Sequence, residues 1–451
     1  MWWLILPVII YSAGLLVLWL LIIRHDKYAV AAQGASALPG VSVVAAETGK
    51  AGRTGSMAAV AVSETPALPV VSVVVAARNE EKHITTLLHS LLRQDYPENL
   101  LEIIIVNDNS TDRTPVVVSE FLSGRVFGFE TAALKPDSGS LNVSKKDLKG
   151  PRTRLIYNPY IGKKRAVRYG IEKASGEVII TTDADCIVGP EWVSSHASWY
   201  HEREPGKSGM NATRIAAGND EKNPSPDTST ELSFTDMVLA PVVQKPAGGF
   251  WSLIGVYEFS ALQAITEATA LAGHPVMCNA ANMSFRRDVY LRHADELRDE
   301  LESGDDMFLL QAVMRDGGVV THDGRSAAAA ETAAAVTAAA LLRQRARWAS
   351  KTFRYRDTAT LTLAAATAAC NAAVAAAAVA AFMSVQYLPL AAVMYSLKTI
   401  PDYLLIAGEM KKRGSRVKAL PFIASEIIYP FLFLSVGIFS LMPGSGRFKK
   451  R

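Results

Sequence analysis

Cysteine is scarce and scattered: Cys186, Cys278 and Cys370 are the only three in 451 residues. They form no CxxC pair, so their spacing supplies neither a cysteine-ligated metal cluster nor a disulfide framework. They read as reduced, buried thiols of a cytoplasmic protein. Excess charge of one sign is also missing. The net charge is +4, and no dense Lys/Arg stripe interleaved with aromatics occurs, which excludes nucleic acid as an expected partner. Charge is absent altogether from Trp2 to Ile23. No Lys or Arg precedes that run, and it is too long for a signal-peptide core, so it reads as an anchor although Ala35-Ser36-Ala37 has the look of a cleavage site.

At about 1.5 Å per residue, the uncharged run spans roughly 33 Å as a helix, enough for a bilayer core. Arg24 and Lys27 follow it and place that end in the cytoplasm. Residues 1–24 are therefore expected as an N-terminal transmembrane anchor. Residues 25–67, dominated by Ala, Gly, Ser and Val, read as a flexible tether. A soluble domain is expected over 68–357, and a membrane region over 358–451. Thr358 to Leu397 is uncharged and too long for one helix, which predicts a hairpin bending near Ser384–Tyr387. Its Ala-rich first arm would also suit a helix outside the membrane. The second arm, with Pro389, Lys398, Pro401 and Asp402, is expected to be irregular. A third apolar stretch, Ala419 to Met442, is interrupted by Glu426 and Pro430 and flanked by two basic runs, Lys411–Lys418 and Arg447–Arg451. Both runs favour the cytoplasm, which leaves open whether the stretch crosses or is re-entrant. Membrane lipids are thus expected partners, and a bacterial inner membrane the expected location.

Within the soluble part, Val70–Ala76 and Leu101–Val106 are continuous apolar runs rich in β-branched residues, the pattern of strands buried on both faces. Between them Ile84, Leu87, Leu88, Leu91 and Leu92 recur at helical spacing. After the second strand, Ser110 or Thr111 is expected to cap the next helix. Arg154–Tyr157 and Val178–Thr182 read as further strands with a helix over 163–174 between them. This alternation predicts an α/β fold with a mostly parallel central sheet. Ligands of such sheets bind beyond the carboxyl ends of the strands, where Arg78, Glu80, Asp108, Asp183 and Asp185 all fall. The Ala-rich stretch Ala327–Ala340 has helix propensity and no polar signature. Polar inserts at Ser123–Gly150 and Glu204–Glu231 read as solvent loops.

Asp183 and Asp185 flank one small residue. In a continuing strand, side chains at i and i+2 share a face, so two carboxylates at a strand end can share a hard cation such as Mg²⁺ or Mn²⁺. A capping or turn pair is the plain alternative.

The order of these segments resembles the family 2 glycosyltransferases. The resemblance runs from Val71-Ser-Val-Val-Val-Ala-Ala-Arg-Asn-Glu-Glu through Ile104-Ile-Val-Asn-Asp-Asn-Ser-Thr-Asp, Gly162-Lys163-Lys164-Arg165 and Thr182-Asp183-Ala184-Asp185. It implies a GT-A nucleotide-sugar-binding domain and a nucleotide-sugar donor. It also implies that Asp108 contacts the base, that Arg78 and Glu80 line the nucleoside pocket, and that Lys163 lies near the nucleotide. Asp185 would ligate the metal, with Asp183 at the metal or the ribose. Cys278–Arg287 resembles the segment lining the donor-sugar and acceptor site, with Ala280 where the family usually has Gly; Asn282 is its candidate residue. Glu302-Ser303-Gly304-Asp305-Asp306 resembles the acidic pair ending in the catalytic base, so Asp306 takes that role beside Asp305. Gln344-Arg345-Ala346-Arg347-Trp348 reproduces the QxxRW motif of membrane-bound members such as cellulose, hyaluronan and poly-N-acetylglucosamine synthases. There Trp348 would floor the acceptor site, and Gln344 and Arg347 would lie near the donor diphosphate.

The resemblance implies inverting, single-displacement transfer to a saccharide or lipid acceptor on the cytoplasmic face, including processive polysaccharide synthesis. Single-sugar transfer to a polyprenyl phosphate or glycolipid is the nearest rival. A non-catalytic polysaccharide-export scaffold is the rival from another class.

Overall fold

A computed structural model of the chain describes residues 2–36, 68–124, 150–200, 235–298, 304–351 and 354–441. Most of the tether, nearly all of both polar inserts, Glu302, Ser303 and the basic run Arg447–Arg451 lie outside the described residues. The first helix, α1 (Ile5–Ser36), does not stop at the expected boundary of 24 but continues into the segment read as tether.

β1 (Val71–Ala77) and β2 (Leu101–Asn107) form as their β-branched runs dictate and pair in parallel. β3 (Arg152–Tyr157) joins the far side of β2, and β4 (Val178–Asp183) joins the other side of β1, both also parallel. The next strands along the chain are β5 (Ile187–Val188), β6 (Met237–Leu239), β7 (Val242–Lys245) and β8 (Asn282–Arg286). β8 runs antiparallel to β4 and β6 antiparallel to β8, while β9 (Val320–His322) lies parallel to β6. The order is β3-β2-β1-β4-β8-β6-β9, with a second sheet β5-β10-β7 formed around β10 (Ala330–Ala333). β10 forms within the Ala-rich stretch despite that stretch's helix propensity. Its backbone pairs with β5 and β7, and those ladder hydrogen bonds outweigh alanine's modest helix preference.

Side chains alternate across the central strands. Val71, Val73 and Val75 pack against α2 (Ile84–Leu92), α3 (Thr114–Leu122) and α5 (Trp192–Ala197). Val74, Ile104 and Val106 pack on the other face against α4 (Lys163–Lys173), α7 (Arg287–His293) and α8 (Asp305–Arg315). Gly170 lets α4 settle there: a Cβ on it would stand 2.6 Å from Val74 Cγ1, far inside van der Waals contact.

α6 (Gly249–Leu271) lies between this α/β body and the long apolar helices. α9 (Ala338–Ala349) follows β10. The expected hairpin is present as α10 (Thr358–Met383) and α11 (Leu388–Lys412), joined through a short 3-10 turn at Val385–Tyr387. The second arm is not irregular. Pro389 sits in the first turn of α11, where it lacks no hydrogen bond, and the helix passes through Pro401. α12 (Ala419–Ser440) is likewise one helix through Pro430. Among the described residues, α1, α10, α11 and α12 are long and apolar enough to cross a membrane.

These helices are joined by buried polar contacts as well as by packing of Val8, Val374, Leu390 and Met394. Lys398 Nζ lies 2.6 Å from both Asp402 and Glu426, so α11 is tied to α12, and Tyr11 of α1 donates to Asp402 at 2.9 Å. At the other end Lys412 Nζ is 2.9 Å from Asp26 and from Glu267, joining α11, α1 and α6.

Candidate active site

The strand order reverses at β1, between β2 and β4, and a ligand crevice is expected outside the carboxyl ends there. The loops after β1 and β2 are locked to each other. Asn79 and Asn109 take positive φ (59° and 55°), a conformation Asn tolerates better than other residues with a side chain. Asn79 Oδ1 accepts from the Thr111 amide at 2.8 Å, and the Asn79 amide donates to Ser110 Oγ at 3.2 Å. The Glu80 amide donates to Thr114 Oγ1 at 2.8 Å. Neither Ser110 nor Thr111 caps α3: its N-cap position is Arg113, which makes no side-chain cap bond, while Asp112 Oδ1 accepts the Thr114 amide at 2.9 Å and Asp112 Oδ2 accepts the Glu81 amide at 3.2 Å. Ser110 and Thr111 are committed instead to the loop after β1.

This lock places Arg78, Glu80 and Asp108 in one wall. Asp108 is buried; its Oδ1 accepts from Asn158 Nδ2 and from the Gly162 amide, both at 2.9 Å. Its other oxygen is 4.0 Å from the exposed Arg78 guanidinium. Gly162 adopts φ +112° as it starts α4, which delivers Lys163 to the crevice. Lys163 Nζ lies 2.5 Å from Asp183 Oδ1. Burial works against this ammonium, but the charge and hydrogen bond of Asp183 outweigh it and hold the Lys163 pKa above its ordinary value.

β4 ends at Asp183, and the chain turns at once, with the Cys186 amide donating to the Asp183 carbonyl at 3.0 Å. Asp185 therefore sits in a turn, and the strand rule that would align it with Asp183 does not apply. The two remain close enough to interact. Asp185 is solvent-facing yet set in a recess, where desolvation and then Asp183 push its carboxyl up, with Lys163 opposing. Burial also raises Glu80, aided by Asp185 and Asp183 and opposed by His83, whose Nδ1 is 3.0 Å from its carboxylate. Asp183 and Asp185 offer carboxylate oxygens, which suit a hard divalent cation. Among the described residues no group of three or more His, Cys, Asp or Glu side chains could hold a metal unaided. A cation here fits only with ligands brought from outside the chain, such as diphosphate oxygens and water.

Asp305 and Asp306 open α8 behind Gly304, which takes φ +100°. Asp306 Oδ1 accepts the Met307 amide at 2.8 Å, and its Oδ2 accepts the Ala280 amide at 3.3 Å. Burial and the neighbouring Asp305 charge raise its pKa; Lys351 opposes. Lys351 has no counterpart in the sequence reading. Its stem lies over Gly304, where a Cβ would meet Lys351 Cδ at 3.1 Å. Burial lowers the Lys351 pKa against the pull of Asp306 and Asp305. Only a long-range charge pattern could have revealed it, since it falls three residues beyond Trp348.

α9 brings Arg347 within electrostatic reach of Asp183, and burial lowers the Arg347 pKa against that attraction. Gln344 Oε1 accepts from Arg345 at 3.1 Å. Trp348 packs on Phe259 with ring centroids 6.0 Å apart. Asn282 is not an acceptor-facing residue. It is 1 % exposed, and its Nδ2 donates to the Pro241 and Ala328 carbonyls at 2.6 and 2.8 Å. Its Oδ1 takes Trp192 Nε1 at 2.8 Å and faces His196 Nε2 at 3.0 Å. Both donors and both lone pairs are used, so Asn282 joins β8 to α5 and the β10 region. Burial holds the His196 pKa down at about 4, so that ring is neutral.

Residues 72–266 match the family described as Glycosyl transferase family 2. Together with the observed sheet, this gives the α/β body a GT-A-like glycosyltransferase fold. The probable glycosyltransferase YdaM of Bacillus subtilis (strain 168) is 35% identical over 118 residues, covering 26% of this chain and 23% of that protein. The beta-monoglucosyldiacylglycerol synthase of Nostoc sp. (strain PCC 7120) is 30% identical over 156 residues, covering 35% of this chain and 28% of that one. The chain thus spans less than a third of the length of either relative. Among solved structures, the mannosyltransferase PcManGT from Pyrobaculum calidifontis, in complex with GDP-Man and Mn²⁺, aligns with 91% of this chain and 98% of its own at 18% identity and TM-score 0.49.

Proposed function

We propose that this chain is an inverting glycosyltransferase that moves a sugar from a nucleotide-diphosphate-sugar to a saccharide or lipid acceptor at the cytoplasmic face of a membrane. One set of contacts supports the reading: Asp108 accepts from the Gly162 amide beside Lys163, Lys163 pairs with Asp183, Asp185 and Arg347 lie within electrostatic reach of Asp183, and Lys351 interacts with Asp306 and Asp305 as well as with Arg347 and Lys163. Asp108 and Arg78 hold the nucleoside. Asp183 and Asp185 would hold Mg²⁺ or Mn²⁺, which when bound supplies positive charge against the diphosphate. Lys163 and Arg347 bring further cations to the leaving oxygens. Asp306 takes the proton of the acceptor hydroxyl as that oxygen attacks the anomeric carbon opposite the leaving group. Its raised pKa gives it more basicity than an exposed aspartate.

The four apolar helices support an acceptor delivered from a membrane. Lys412, Asp26 and Glu267 gather at the end of the helices nearest the α/β body, and α1 carries Arg24 and Lys27 there, which supports the cytoplasmic orientation. Single-sugar transfer to a lipid is a second reading beside processive synthesis, favoured by the name of the Nostoc relative. The test is a panel of nucleotide sugars with the full chain in membrane vesicles, with Mn²⁺, Mg²⁺ or a chelator, assayed for nucleotide diphosphate release. Release with one donor, lost on chelation, is expected. Release that chelation leaves intact overturns the metal assignment, and no release with any donor overturns the activity.

A further inference from the structure

Arg345 sits among the residues assigned to donor and acceptor, yet it turns inward and is 4 % exposed. Its Nε lies 2.7 Å from Glu258 Oε2 on α6, and its Nη2 donates to the Gly255 carbonyl at 3.4 Å. The same guanidinium stands 4.3 Å above the Trp348 ring and 6.0 Å from the Phe259 ring. Arg345 and Trp348 are three residues apart and share a helix face, whereas Arg347 points elsewhere. The stacked cation therefore fixes the indole plane while leaving Arg347 toward Asp183. Glu258 is itself shared. Its Oε1 is 3.5 Å from the Tyr429 hydroxyl on α12, and the Tyr429 ring lies 5.1 Å from Lys398 Nζ. The chain of contacts thus runs from Trp348 through α9, α6 and α12 into the Lys398–Asp402–Glu426 cluster.

We propose that Arg345 and Glu258 are positioning residues that set the Trp348 ring for the acceptor, so that their loss weakens acceptor use while donor binding stays. This rests on the reading of Trp348 as the acceptor floor. Arg345→Lys keeps the charge and removes the planar stack; Glu258→Gln keeps the shape and removes the charge that holds the guanidinium.

The test uses the full chain in detergent with dioctanoylglycerol, farnesyl phosphate and chitotetraose as acceptor probes, and the nucleotide diphosphate with Mn²⁺ as donor probe. Arg345→Lys is expected to raise the acceptor KM tenfold or more, with kcat within threefold and nucleotide Kd within twofold. In a Trp348→Phe background the same substitution has at most a twofold further effect, because its route of action is gone. Glu258→Asp recovers most of what Glu258→Gln loses. An unchanged acceptor KM, or a full Arg345→Lys effect in the Trp348→Phe background, overturns the proposal. A wild-type chain that turns over no probe counts against the acceptor reading, and the positioning claim is then decided by emission. The difference spectrum of wild type minus Trp348→Phe must shift on Arg345→Lys, and an unshifted spectrum overturns it.

Discussion

On the proposed mechanism, Asp306→Asn separates chemistry from binding and folding at one atom. Asp306 offers two oxygens to two backbone donors, Met307 at 2.8 Å and Ala280 at 3.3 Å. Asparagine keeps one acceptor oxygen and puts an NH₂ where the other was. One backbone N–H therefore loses its partner, which costs about 1–3 kcal/mol. Loss of the repulsion from Asp305 offsets part of that, since Asp305 helps raise the Asp306 pKa. The fold should survive with a modestly lower unfolding midpoint. Turnover should not: a positioned base contributes roughly 10²–10⁴-fold, about 3–5 kcal/mol on the barrier. Asp108, Arg78 and Lys163 are untouched, so the nucleotide Kd should stay within twofold. The assays are nucleotide diphosphate release under saturating donor, calorimetric titration of the nucleotide with Mn²⁺, and thermal unfolding. Turnover above a tenth of wild type refutes the base assignment. Lost turnover together with lost nucleotide binding refutes the separation of roles.

Two further substitutions probe the surroundings. Lys351→Met removes a cation that opposes the upward shift of Asp306 by burial and Asp305. Since the base must be ionised, the acid limb of kcat/KM should move to higher pH; an unmoved limb, or one displaced downward, refutes the coupling. The stability sign is the same: a carboxyl raised in the fold favours the folded state at low pH and loses that contribution as pH climbs through the folded pKa, so the variant should lose stability faster on that climb. Asn282→Ala strands Trp192 Nε1 and the Pro241 and Ala328 carbonyls, a loss of about 3 kcal/mol or more. Its signature is poor folded yield with ordinary nucleotide affinity in the folded fraction; a fully stable protein that cannot turn over would return Asn282 to the acceptor site.

The central sheet was legible because β1, β2 and β4 bury both faces, so their β-branched runs carry the assignment without help from neighbours. Val71 to Ala77 and Leu101 to Asn107 needed only that. β10 was not legible, because Ala330–Ala333 has no β pattern and exists only through its partners β5 and β7. The start of α3 was misplaced for a similar reason: Ser110 and Thr111 have the chemistry of a cap, but tertiary contacts to Asn79 claim them. At the strand ends, Lys163 and Asp183 stood out separately in the sequence, and the structure pairs them. What pattern alone did not show was direction. Asn282 faces inward, Arg345 turns away from the crevice toward Glu258, and Lys351 reaches Asp305 and Asp306 from a segment with no motif of its own.

On the proposed membrane reading, the Lys398–Asp402–Glu426 cluster bears on how the chain would enter lipid during synthesis. Of the four candidate spans, the one containing α11 has the lowest mean hydropathy, 1.3 against 2.6 for α1, and Lys and Asp at a span's centre each oppose insertion by about 2.5–3.5 kcal/mol. Lys398 and Asp402 lie one turn apart and can neutralise each other as soon as the helix winds. Glu426 emerges later with no acid-neutralising partner on its own helix and meets one only on Lys398. If these helices cross a membrane as proposed, α12 would leave the insertion machinery against an α11 already in place: hairpin first, last helix docked onto its charge.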